Sequence, residues 1–121
     1  MDISMQDKMR IIQELVPGKQ ITLAHVIANP DKTLYYKLGL DPQVERERSA
    51  IGIVTVSPAE TAVIGADIAM KASGAVVEFV DRFTGTVIMT GTVSEVETSV
   101  IAIADYCKNK LGYTVCEVTK T

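Results

Sequence analysis

The sequence predicts an α/β sandwich of the ferredoxin-like type, two βαβ units on one sheet with right-handed crossovers and both helices on one face. Three features carry that prediction: an internal repeat, a helix-start signal at the head of each copy, and β-rich runs flanking each helix. The repeat pairs Ser57-Pro58-Ala59-Glu60-Thr61-Ala62-Val63-Ile64 with Ser94-Glu95-Val96-Glu97-Thr98-Ser99-Val100-Ile101, 37 residues later. Each copy opens with Ser and carries Glu three places on. That is the spacing of a capping box, in which hydroxyl and carboxylate satisfy orphan backbone N–H groups at a helix start. Pro58 falls at the first helical position, where its missing N–H costs nothing.

The elements follow in order. Residues 1–19 form an extension: 1–8 read as frayed, and Ile11, Ile12, Gln13, Glu14, Leu15 and Val16 as a short strand, cut off by Pro17-Gly18. Two readings are open for that strand, a loose arm or a strand that pairs with other subunits. The main domain is 20–121. It opens with a strand over 20–28, in which Ile21, Leu23 and His25 alternate, and a short helix around 30–38 stopped by Gly39. Residues 41–49, rich in Glu and Arg, read as a solvated loop. After a strand over 51–56, the first repeat helix gathers Ala62, Ala66, Ala69 and Met70 on one face, with Ile64 and Ile68 beside it, until Gly74. Asp67 and Lys71, four apart, suit an ion pair worth a few tenths of a kcal/mol. Gly65 costs roughly 1 kcal/mol relative to Ala, which points to close approach by a packed helix or a neighbouring subunit. Strands over 75–80 and 86–93 meet at the turn Arg82-Phe83-Thr84-Gly85. In the second repeat helix Val96, Val100, Ile103, Ala104, Cys107 and Leu111 recur at helical spacing; Gly112 stops it, and 113–118 form a last strand.

Composition removes several classes of function. At 121 residues and 13.1 kDa the chain fits one domain, burying roughly two-thirds of its unfolded surface. Lys and Arg total 12 against 15 Asp and Glu, without the basic excess that phosphates require, so no nucleic-acid partner is expected. Hydrophobic residues reach 47% with 5% aromatics and no Trp, which suits compact strands, small-residue helix packing and apolar surface left over for partners. No apolar run approaches the roughly 18 to 20 residues that span a bilayer, and no basic-then-apolar signal opens the chain, so the expected location is cytoplasmic, without a membrane partner. Cys107 and Cys116 are too few for a disulfide framework and not spaced as a zinc knuckle; they read as reduced, buried thiols.

Catalytic patterns are missing as well. His25 is the only histidine, and no G-x-S-x-G or convergent spacing makes it a base; a strand histidine hydrogen-bonded at an interface is the simpler reading. No dinucleotide loop or P-loop occurs. Glu60 and Glu97 are accounted for as caps. The expectation is a protein with no catalytic residues, no cofactor and no metal site.

The strings Ala50-Ile51-Gly52-Ile53 and Gly65-Ala66-Asp67-Ile68-Ala69-Met70-Lys71-Ala72 resemble the opening strand and first helix of bacterial microcompartment shell proteins, the BMC domain. Residues 76–80 resemble the next strand, Thr90-Gly91-Thr92-Val93-Ser94-Glu95-Val96 the glycine-containing approach to the second helix, and His25-Val26-Ile27-Ala28-Asn29-Pro30 the closing strand. That closing strand here comes first, so the chain resembles the circularly permuted shell proteins of propanediol, ethanolamine and choline compartments. Val16-Pro17-Gly18-Lys19-Gln20, Leu23-Ala24-His25 and Asp81-Arg82-Phe83-Thr84-Gly85 are similar to that subgroup in particular.

The resemblance implies a homohexameric tile that packs edge to edge with other shell proteins around metabolic enzymes, those encapsulated enzymes being further partners. By position, Lys71 and nearby Asp67 match the tile edge. Asn29 stands where the family usually carries an arginine, and lacks the bidentate fork and the charge. The turn Arg82, Phe83, Thr84, Gly85 corresponds to the loop that lines the central pore. Residues 11–16 match the strand with which permuted members build a small parallel β-barrel over the axis, capping it. Two other classes compete with a tile: a small ferredoxin-like regulator that binds a metabolite between subunits, and an enzyme of unrecognised chemistry.

Overall fold

The computed structural model describes residues 18–40 and 50–121. In chain order these form β1 (Gln20–Ile27), α1 (Lys32–Leu38), β2 (Ala50–Ser57), α2 (Thr61–Ala72), β3 (Val76–Asp81), β4 (Thr86–Gly91), α3 (Val93–Asn109), β5 (Thr114–Val115) and β6 (Thr119–Lys120). One sheet has the order β3-β4-β2-β1-β5, with β6 also paired to β1. The repeat therefore folds as two split βαβ units, and β1 lies between β2 and β5. β1 is antiparallel to β2 and parallel to β5 and β6.

Register explains the burial of β1. Ile21 faces Val56 and Leu23 faces Thr55, so Thr22 is an extra residue, a bulge. The bulge shifts the side-chain alternation by one. Ile21, Ala24 and Val26 consequently share the helix-covered face at 0–2% exposure, whereas Leu23 is 40% exposed. The expected alternation of Ile21 with Leu23 and His25 is corrected by this bulge. Thr22 Oγ1 lies 2.7 Å from Thr55 Oγ1 on the exposed side.

α2 and α3 pack together on one face over Val54, Val56, Val87 and Met89. α2 turns Ala62, Gly65, Ala66 and Ala69 inward, but Met70 is 56% exposed, so the assignment of Met70 to the buried face is corrected. Small residues let α2 lie close to its neighbours, and a methionine one position past Ala69 points away. At Gly65 a Cβ would sit 3.6 Å from Ile103 Cγ2, an ordinary contact, so the packed helix is present without the close approach that the sequence suggested. The tight approach is at Gly52 instead. There a Cβ would stand 2.7 Å from Val96 Cγ1, 3.0 Å from Met89 Cγ and 3.1 Å from Val100 Cγ2. α1 covers part of the other face, where Tyr35 and Leu40 pack on Ile51.

Of the two expected capping boxes, the first is absent and the second displaced. Ser57 is still paired with Gln20 in the sheet, so α2 starts only at Thr61, and no side chain caps it. Backbone turns serve instead, the N–H groups of Thr61, Ala62 and Val63 donating to the carbonyls of Pro58, Ala59 and Glu60. For α3 the box is Thr92 with Glu95, not Ser94 with Glu97. Glu95 N–H donates to Thr92 Oγ1 at 3.1 Å, and Thr92 N–H to Glu95 Oε1 at 2.9 Å. β4 ends at Gly91, so Thr92 is the first hydroxyl the helix meets. α2 ends at Ala72 with Ser73 extended, before Gly74, where a Cβ would run into the Glu95 carboxylate. Asp31 caps α1, accepting from Thr33 N–H at 2.9 Å, and Gly39 ends it at φ 72°. The last strand is two short ones, β5 and β6, rather than one run.

Candidate functional site

The sequence-predicted site residues fall at opposite ends of the sheet. Ile27 pairs with Ile51, Ala50 with Gly91 and Val76 with Thr90, so one end gathers the end of β1, the start of β2 and the end of α2. Asp67 and Lys71 lie near that end on α2, and Asn29 lies in the bend after β1, exposed. Lys71 Nζ meets Asp67 Oδ2 at 2.9 Å, with the two side chains 76% and 56% exposed. At that exposure the pair adds little to stability. Its consequence is positional, since the ammonium is held at the surface with two further donors to offer.

The other end holds the turn 82–85. Asp81 organises it: its Oδ1 accepts from Phe83 N–H at 2.8 Å and Thr84 N–H at 3.3 Å, and its Oδ2 accepts from the Thr84 hydroxyl at 2.9 Å. Gly85 has φ 79°, and a Cβ there would collide with the Val56 carbonyl. Gly85 N–H donates to Asp81 O at 2.8 Å, and Val56 N–H to Gly85 O at 2.8 Å, which ties the turn to β2. Phe83 is 81% exposed, with Arg82 Cζ 5.2 Å from its ring centroid. The tip thus presents an aromatic ring and a cation on a rigid base. Asp81 is the residue that the sequence reading left without a role; an Asp opening a turn, with Thr three places on, is the available signal.

The N–H of Phe83 first, and then the Thr84 hydroxyl, hold the Asp81 carboxyl below its ordinary value of 3.8. A carboxyl lowered in the folded state stabilises it fully above the unfolded value, and that stabilisation is lost as pH falls through the folded value. Acidification below about pH 4 is therefore expected to loosen this turn, read as amide shifts of Phe83 and Thr84 that titrate with Asp81. An Asp81→Asn chain should lose that titration.

Elsewhere the chemistry is quiet. His25 Nδ1 lies 2.6 Å from Thr119 Oγ1 and its Nε2 2.9 Å from Thr121 Oγ1, so both ring nitrogens have hydroxyl partners within the chain. Both cysteines are free, Cys107 buried and Cys116 only partly so, against the expectation that both are buried. Burial pushes both thiols up from their ordinary value, away from the reactive thiolate. Glu97 is not a cap; its Oε2 lies 3.5 Å from Lys120 Nζ. Among the described residues no group of three or more His, Cys, Asp or Glu could hold a metal ion, and no helix is long and apolar enough to cross a membrane. The axial-strand assignment of 11–16, the frayed segment 1–8 and the solvated loop 41–49 lie outside the described residues.

The BMC domain family matches residues 50–119. The bacterial microcompartment shell protein CutR of Streptococcus intermedius is 53% identical over 112 residues, 93% of this chain and 92% of that protein. The bacterial microcompartment shell protein PduU of Salmonella typhimurium is 48% identical over 112 residues, 93% of each. A solved CutR flat hexamer is 52% identical with a TM-score of 0.80, covering 93% of this chain and 99% of that one. The matched family segment begins at β2, yet β1, which precedes it, fills a place inside the sheet. With its strand order permuted in this way, the chain belongs to the BMC domain family of bacterial microcompartment shell proteins.

Proposed function

We propose that the chain is a structural tile of a bacterial microcompartment shell in the cytoplasm, six copies closing a ring and rings packing edge to edge with other shell proteins. The observation that carries this is the near full-length likeness to CutR, a shell protein solved as a flat hexamer. The placement of the site residues supports it. Lys71 with Asp67, and Asn29 at the same end of the sheet, form the outer edge of the tile. The turn 82–85 faces the ring axis. β1 begins at that turn's end of the sheet, and in this reading residues 11–16 are given the role of an axial strand, six of which cap the axis as a barrel. A capped axis suits a structural, gating or anchoring role above bulk transport, with encapsulated enzymes as partners on one face.

The tile does no catalysis. Its single histidine is tied to Thr119 and Thr121, and burial pushes both thiols up from their ordinary value. No observation favours the metabolite-binding regulator. Electron microscopy of the concentrated protein tests the tile: discs that associate into sheets or tubes are expected, and particles that remain isolated at every concentration overturn it.

A further inference from the structure

We infer that the hydroxyls of Ser73 and Ser99 form a clasp that sets the last turn of α2 for edge contact, and that sheet formation depends on this clasp more than on the polar contact at the other end of the helix pair. The inference rests on the reading of Lys71 as an edge residue. Ser99 on α3 is 0% exposed, and its Oγ–H donates to Ala69 O on α2 at 2.7 Å. Ala69 is among the last four residues of α2, whose carbonyls a helix end leaves without intrahelical donors. A hydroxyl from one helix thus caps the end of the other. Ser73, where α2 stops, has its Oγ 2.7 Å from Ser99 Oγ and 2.9 Å from Glu95 O, and accepts from Ala75 N–H at 3.1 Å. Ser99 gives its only proton to Ala69 O, so Ser73 is the donor between the two hydroxyls and shares its proton with Glu95 O. The protons run one way, from Ala75 N–H to Ser73 to Ser99 to Ala69 O, and each bond polarises the next.

The clasp grips α2 on both sides of Lys71, which lies two residues from Ala69 and two from Ser73. The exposed Lys71–Asp67 pair is too weak to fix the direction of the helix end by itself. The chain beyond the clasp is confined as well. Gly74 has no room for a Cβ against the Glu95 carboxylate, and at Gly91 a Cβ would lie 2.9 Å from Glu95 Oε1. That carboxylate also closes the capping box of α3, so the end of α2 and the start of α3 are held by one polar knot. The other end of the helix pair has a polar contact of its own, Thr61 Oγ1 at 2.7 Å from Tyr113 OH, with Thr61 3% exposed. It lies about 15 Å along α2 from Lys71. Losing it costs the pair a comparable bond without touching the edge turn, which makes it the natural comparison.

Amide hydrogen exchange below the concentration at which sheets form, and that threshold itself by electron microscopy, test the clasp. Ser99→Ala is expected to speed exchange in residues 70–75 about ten-fold, the factor for a lost hydrogen bond that leaves a buried carbonyl without a donor. Its sheet threshold should rise about four-fold, because a ring needs its six edges set at once, and a set fraction of about 0.8 at each leaves about a quarter of the rings competent. Ser73→Ala, at a half-buried position, should act in the same direction, and it decides the matter if Ser99→Ala fails to fold. Ser73→Thr keeps the hydroxyl on extended backbone and should behave as the native chain. Thr61→Val removes a hydroxyl at the other end and should leave both readouts at their native values. A threshold that moves as far with Thr61→Val as with the serine variants, or exchange in residues 70–75 that neither serine variant alters, overturns the inference. Failure of the edge reading is distinct: sheets that resist Lys71→Asp yet yield to Ser99→Ala remove Lys71 from the edge and keep the clasped turn there.

Discussion

Gly52→Val is expected to destabilise the fold by roughly 3 kcal/mol or more, out of a total of about 6 to 18 kcal/mol for a chain of this length. The expectation comes from the crossing of α3 over β2. The first carbon of any side chain at position 52 meets Val96 Cγ1 at 2.7 Å, with Met89 and Val100 at 3.0 and 3.1 Å. Val96, Met89 and Val100 are each 0% exposed. None of the three can swing into solvent, and β-branched Val96 and Val100 have little χ1 freedom on a helix. The helix must lift from the sheet, and the contacts it makes with Val54 and Val87 open with it. In urea the unfolding midpoint should fall by about 1 to 2 M at unchanged slope, with Gly52→Ala falling by less. A midpoint within about 0.2 M of the native value for Gly52→Val would show that α3 does not sit where described.

Lys71→Asp is expected to leave the fold and the ring intact while suppressing sheets and tubes. Within one chain the change converts the 2.9 Å Lys71–Asp67 pair into two carboxylates four residues apart, a penalty of about 0.3 kcal/mol on an exposed helix face. Thermal stability should therefore barely move. At a proposed edge the change is multiplied. Each edge contact between exposed charges is worth at most about 1 kcal/mol, but a tile makes several at once, and inverting the charge replaces donors that carbonyls or carboxylates on the next tile accept with a repelling anion. The concentration needed for sheets should rise at least about ten-fold, a factor that a change of about 1.4 kcal/mol per tile supplies. Sheets that form as readily as in the native protein remove Lys71 from the edge.

Much of the fold is legible in the sequence because local signals agree with the global arrangement. The Ser/Thr-x-x-Glu repeats and flanking β-branched runs locate both long helices and their strands, and Gly39, Gly85 and Gly112 all stand at positive φ. Phase is harder than existence. Thr92-Val93-Ser94-Glu95-Val96-Glu97 contains two overlapping boxes, and the place where β4 leaves the sheet decides between them. The bulge at Thr22 carries no Gly or Pro to announce it, so the alternation through Ile21, Leu23 and His25 reads as continuous although the sheet breaks it. Gly65 and Gly52 are exchanged in importance for a related reason: a helix glycine has a known propensity cost, whereas the crossing that requires Gly52 exists only once α3 is docked. At the candidate site, Asp67–Lys71 is readable from spacing and the turn from its Gly. Which surface faces an edge or an axis is a property of several copies, and one chain's pattern does not contain it.

A closed ring of six stands or falls by the solution mass of the 121-residue chain in light scattering. A monodisperse mass near six times 13.1 kDa is the expected result. A monodisperse monomer or dimer would contradict the ring, and with it the capped axis and the tile edge at Lys71.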